Sequence, residues 1–275
     1  MGTQAVKVIF ALLISTFCSL CLAGDKVANL DKLLLVSGFT KQAEGFPELV
    51  KSGFAEGIQQ GVPIPQDKLQ KILESADNTI LPSIIMGEVR SSLSTSLTDK
   101  DVEVLLAWYE SDIGKKITKA EEEGSSEEAF QNLMANAQQL MADTKRVEMA
   151  TRIDQLVGAT DMAMEMQIST SIAVYSAVMA VMAPGQEINL DAYKAQMEAM
   201  KPQMRQNVEQ FITLSFVQTY QGLDDASLAK YEEFLSQPEA KKFNSSSMAG
   251  LNKALTQVIG RWSGDTISIL KSEAN

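Results

Sequence analysis

The chain has 275 residues, with 24 Lys and Arg set against 35 Asp and Glu, no histidine and two cysteines, Cys18 and Cys21. A formal net charge of −11 repels phosphate backbones and anionic headgroups, which argues against nucleic-acid binding. Without imidazole, and with both thiols near the N-terminus, the body of the chain has no residues for a His-based triad, a thiolate zinc site or a disulfide framework, and no cofactor is called for.

Residues 1–23 carry one cation, Lys7, then an apolar run from Val8 to Leu22 and a small-residue exit at Cys21-Leu22-Ala23. That is the layout of a secretory signal peptide cleaved after Ala23, and the run is short for a membrane span. No stable span is expected after cleavage, retention as an uncleaved anchor being the alternative. Neither cysteine follows the small residues that a lipid-modified cysteine would normally follow, since Cys18 comes after Phe17 and Cys21 after Leu20. Cleavage removes both and leaves 23 cations against 35 anions. The expected location is the periplasm of a Gram-negative cell.

Beyond the leader, apolar residues recur at three- and four-residue spacing, as at Val102, Leu105, Leu106 and Tyr109 and at Leu133, Met134, Ala137 and Met141. The pattern predicts an all-α protein with no β-sheet. Breaks are expected from Gly61 to Gln66, near Pro82, from Glu121 to Ser126, from Ala183 to Gln186 and at Pro202. Thr98 with Asp101, and Ser125 with Glu128, have capping-box spacing. The segment from Ser126 to about Met166 is expected to break near Asp143 and Gly158.

The chain also echoes itself. A displacement of 126 lays Leu97 on Leu223, Val102 on Leu228, Trp108 on Phe234, Gly114 on Ala240, Lys116 on Lys242 and Ile117 on Phe243 without a gap. Upstream, a displacement of 123 lays Leu30 on Ile153. Two tandem helical-bundle repeats, over residues 28–148 and 149–275, are the economical reading.

The first copy, through Leu33, Leu34, Ser37 and Gly38 and then Trp108, Tyr109, Ser111, Gly114 and Lys116, resembles the family known as domain of unknown function 2059. The second keeps Phe234, Pro238 and Lys242, with Gln237 and Ala240 where the family pattern has serine and glycine. The resemblance implies an exported α-helical protein and no assigned activity.

Residue by residue, the repeated stretch reads as a helix corner. An amphipathic helix ends at its aromatic residue, Ser111 caps the next helix, and Asp112 or Pro238 occupies a first turn where an acid or a missing N–H is tolerated. In the second copy either Ser236 with Glu239 or Gln237 can cap. Gly114 or Ala240 lets the helices approach, and the lysines are expected on a solvated face. Catalytic candidates are few: Ser227 with Lys230 and Ser268 with Lys271 have a Ser-x-x-Lys spacing, but no further Ser-Lys hydrolase motif accompanies them.

Methionine is unevenly spread, with 11 of the 13 residues beyond Met1 lying between Met134 and Met204. On a helix Met162 and Met166 share a face, as do Met197, Met200 and Met204. Beside them runs an apolar stretch from Ser171 to Ala183 that holds Tyr175, Met179 and Met182. Such residues fill a core, line an adaptable apolar groove, or ligate Cu(I) through thioethers. The leading expectation is a non-enzymatic binding or interaction module whose apolar, Met-rich surface, in the second copy, meets an apolar ligand, a protein partner or a second chain in a homodimer. The alternatives are a Cu(I) site using Met clusters such as Met162, Met164 and Met166, or a hydrolase with carboxylate or Ser-Lys chemistry.

Overall fold

Over the described residues of the computed structural model, 26–59, 64–182 and 189–271, every regular element is a helix and no strand occurs. The expected signal peptide and the breaks at Gly61 to Pro63 and Ala183 to Gln186 lie outside those residues.

The first helices are α1 (26–36), α2 (Phe39–Gln59), α3 (Gln66–Thr79) and α4 (Pro82–Ser96). Pro82 stands at the start of α4, where its missing N–H costs no helical hydrogen bond. Next come α5 (Asp99–Tyr109) and α6 (Asp112–Gly124). Thr98 opens α5 with the expected capping box: its hydroxyl accepts from Asp101 N–H, and the Asp101 carboxylate accepts from Thr98 N–H at 2.8 Å.

Helices α7 (Glu127–Ala142), α8 (Thr144–Val157) and α9 (Ala159–Met182) follow, broken at Asp143 and Gly158 as the sequence predicts. The cap of α7 is Ser126, not Ser125: Ser126 Oγ accepts from Ala129 N–H at 3.2 Å, while the Ser125 hydroxyl donates back to Glu122 O. Glu128 therefore sits too early in the helix to complete a box. The chain ends with α10 (Leu190–Thr219), α11 (Asp225–Leu235) and α12 (Pro238–Lys271).

Pro202 does not break the chain; α10 runs through it. The proline is exposed, so water can reach the carbonyl it leaves unpaired, while Met197 on the other side anchors the helix in an apolar cluster.

Gly38 and Gly158 both take left-handed φ values, 77° and 75°, between consecutive helices, and Gln42 N–H and Met162 N–H donate to their carbonyls.

The two halves of the chain share one main core. It takes in Leu30, Leu33, Phe54 and Val89 from the first half together with Tyr231, Leu255 and Trp262 from the second. The expected boundary at 148/149 lies inside α8. Helix α12 is the axis and packs on α3, α4, α5, α8, α9 and α11. On it Trp262 is fully buried, meets the Phe54 ring edge-on at 4.8 Å and donates its Nε1–H to Ile72 O at 3.0 Å.

Helices α4 and α12 approach so closely at Gly250 that a Cβ there would lie 2.7 Å from Val89 Cα and 2.9 Å from Glu88 O. Those are backbone atoms and cannot swing aside. Gly250→Ala is expected to cost about 1–3 kcal/mol by overpacking. Gly260→Ala on the same helix, where nothing lies within 4 Å, is expected to stabilise by about 0.4–1 kcal/mol. Thermal denaturation of the two variants beside the parent checks both signs.

Candidate functional site

The repeated stretch forms the predicted corners. Ser111 caps α6, its Oγ accepting from Gly114 N–H at 3.0 Å. A Cβ on Gly114 would lie 2.1 Å from Trp108 O, so the corner requires glycine. At the second corner Ser236, in the αR conformation, closes α11 and donates to Glu232 O; α12 begins at Pro238, so Ser236 is not at the position that caps it and the box with Glu239 does not form.

The sequence does not reveal that the corners face each other. The Trp108 ring lies on Phe234 at 4.3 Å and 6°, and Tyr109 meets Phe234 and Phe243 edge-on at 5.6 and 6.0 Å. The lysines are consequently paired and do not simply form a solvated face. Lys242 Nζ lies 3.1 Å from Asp101 Oδ2 at the start of α5, and Lys116 Nζ lies 3.9 Å from Asp224 Oδ2 at the start of α11. Each corner reaches the N-terminal cap of the other half. With the lysine side chains about half exposed, solvent screens both pairs, and the exposed Lys116–Asp224 contact most. The Asp101 carboxyl is held below the usual range first by the Thr98 N–H and then by the Thr98 hydroxyl and Lys242.

Beneath the corners, Glu121 Oε1 accepts from Tyr220 OH and Tyr231 OH, both at 2.7 Å. The Glu121 residue keeps some exposure, but its carboxylate is withdrawn among phenol rings. That burial pushes its pKa above the ordinary value, with the two hydroxyls pulling the other way. The same burial, next to the Glu121 charge, raises the tyrosines Tyr109, Tyr220 and Tyr231. Within the run of three glutamates this residue looks solvated. The available signal was its position four residues after Ile117, on the buried face of α6.

The methionines divide. Met197 does not belong to a surface: it is 7% exposed and fills a small cluster with Met164 and Ile168, against which Met204 and Tyr193 pack. Met200, three residues on, points outward. Met162 and Met166 pack, partly buried, against the main core, Met179 is also partly buried, and Met182 is exposed. Tyr175 stacks on Tyr193 at 4.1 Å and 4°, tying α9 to α10.

Further exposed apolar side chains lie on α7 and α10, at Phe130, Met134, Met141 and Phe211. Next to them, between α7, α8 and α10, is a groove of about 510 Å³. Carboxamides dominate its lining: Asn132, Asn136, Gln139, Gln218 and Gln221, over Leu140 and Val217. Its charged members are partly engaged, Arg146 Nη1 being buried without a hydrogen-bond partner. Asp143 Oδ1 accepts from Arg146 N–H at 3.1 Å, and Arg146 Nη2 donates to Leu223 O at 2.7 Å. Gln218 also lines a second hollow of about 190 Å³ flanked by Phe130 and Phe211, whose rings lie 6.3 Å apart. The sequence reading missed this groove, because its parts come from helices distant along the chain.

These features define an all-α protein with two facing helix corners and a carboxamide-lined groove. Over residues 83–145, from α4 to the start of α8, the chain matches a family described as "Uncharacterized protein conserved in bacteria (DUF2059)". No curated protein and no solved structure matches the chain.

Burial of Glu121 makes stability depend on pH. Its pKa is raised on folding, so the folded state keeps a proton that the unfolded state releases, and stability falls as pH rises from the ordinary 4.5 through the raised value. Glu121→Gln keeps an acceptor for both tyrosines and is expected to flatten the fall. Thermal midpoints from pH 4 to 8 are the measurement; an unchanged slope would place the pH dependence elsewhere.

Proposed function

We propose that the protein is a non-enzymatic binding module, exported to the periplasm, that takes its ligand in the groove between α7, α8 and α10. The observation that carries this reading is a groove of about 510 Å³ whose carboxamides converge next to the exposed Phe130 and Phe211. Ligand sites commonly have volumes of about 300–1,000 Å³ and combine apolar surface with a few placed polar groups. The groove is not the Met-rich surface expected in the second copy, where much of the α9 set packs inward; the exposed Met134 and Met141 beside it lie on α7 in the first half. Export is supported by the leader's layout, and a two-copy origin by the common displacement of 126 at both corners.

A hydrolase finds no support in the serines. Ser227 Oγ gives its hydrogen bond to Asp224, and Ser268 Oγ to Gly264 O, so neither hydroxyl is directed to a lysine.

Native mass spectrometry of mature protein released from its own periplasm is expected to show a reproducible non-covalent adduct. Gln139→Leu with Gln221→Leu should lower its occupancy about tenfold, the loss expected from one or two hydrogen bonds. A bare protein, or an adduct indifferent to the substitutions, would reject the groove.

One observation favours copper as a second reading: Met164, Met197 and Met204 meet in one apolar cluster, and thioethers suit Cu(I). Met164→Leu with Met197→Leu nearly conserves volume and should then abolish Cu(I) uptake in equilibrium dialysis. Equal uptake by parent and variant would end that reading.

A further inference from the structure

We infer that the groove between α7, α8 and α10 takes a neutral oligosaccharide; this rests on the groove being a ligand site. The chemistry of its lining narrows the ligand. A carboxamide both donates and accepts, as a sugar hydroxyl does, and five of them line this groove. Among the described residues the amides of Gln139 and Gln221 carry no side-chain hydrogen bond, so they are available to a ligand. Asn132, Asn136 and Gln139 follow one another along one face of α7, about one turn or 5.4 Å apart, close to the length of one pyranose unit in a chain.

Fixed charge gives an ion little advantage. The lining holds one anion and one cation, Asp143 and Arg146, and so carries no net charge. Asp143 caps α8, while Arg146 Nη2 donates to Leu223 O and lies 3.4 Å from Asp225 Oδ1, and Arg146 Nη1 is buried without a hydrogen-bond partner. A neutral polyol, which both donates and accepts, suits such a lining.

The adjoining hollow supplies the other half of sugar recognition. Phe130 and Phe211, 48% and 41% exposed, offer ring faces to the C–H face of a pyranose, and Gln218 lines both hollows. A docked helix fits less well, since it needs an apolar groove and this lining is mostly amide.

Isothermal titration of the mature chain with cellotetraose, maltotetraose and chitotetraose tests the inference. At least one should bind with a Kd of about 1 mM or tighter. The affinity should hold between 50 and 500 mM salt, and fall about tenfold in Gln139→Leu with Gln221→Leu and again in Phe211→Ala. Affinity that collapses with salt, or that ignores all three substitutions, would overturn the inference. If no saccharide binds while a groove-dependent native adduct of peptide or anion mass persists, the ligand class is wrong and the groove stands. If neither is seen, both readings fail.

Discussion

The stack of Trp108 on Phe234 is the contact around which the two halves are organised. Each ring ends a helix, so laying one on the other fixes both chain reversals together. It also brings each corner lysine to the capping group that begins the facing helix, and it sets Glu121 of the first half beneath Tyr220 and Tyr231 of the second. An aromatic pair contributes about 0.5–1.5 kcal/mol beyond its buried area. Its larger effect is geometric, since neither lysine pair nor the buried carboxylate can form unless the corners meet.

Because α12 then runs through the first half, most of the apolar surface of the chain joins one core. Helix α7, with one side of α8 and the end of α10, packs on a satellite cluster of Leu133, Leu140, Ala150, Leu214 and Val217, while Met149 and Ile153 on α8 join the main core. The groove lies over that cluster and takes Leu140 and Val217 as its floor. A site on a small, separate core can adjust to a ligand without disturbing the packing around Trp262, since local opening free energies follow local burial. The buried Glu121 network stands apart from the groove and serves the joint between the halves.

Several expectations failed for the same reason: spacing does not contain the identity of the neighbour. Pro202 looked like a stop, but an exposed proline whose opposite face is anchored leaves a helix intact. Ser125 and Ser126 are equally good caps on paper, and the packing of α6 selected the second. Met197, Met200 and Met204 occupy neighbouring turns, yet a turn away from α9 sends Met200 to solvent while Met197 is buried. Glu121 belongs to a run of acids that composition marks as surface, and only the approach of two tyrosines from α10 and α11 made it a buried acceptor.

What the sequence determined by itself is local: the helical class, the breaks at Asp143 and Gly158, the box at Thr98, the corner at Ser111 and the need for a small residue at Gly114. Each follows from hydrogen bonds and steric contacts within a few residues. The tertiary structure decided that the two corners face each other, that their lysines serve opposite caps, which methionines are buried, and that carboxamides from α7 and α10 line one groove. Those outcomes depend on which helices meet across separations of up to 141 residues, and long-range contact of that kind is set by competition among apolar faces for a single core.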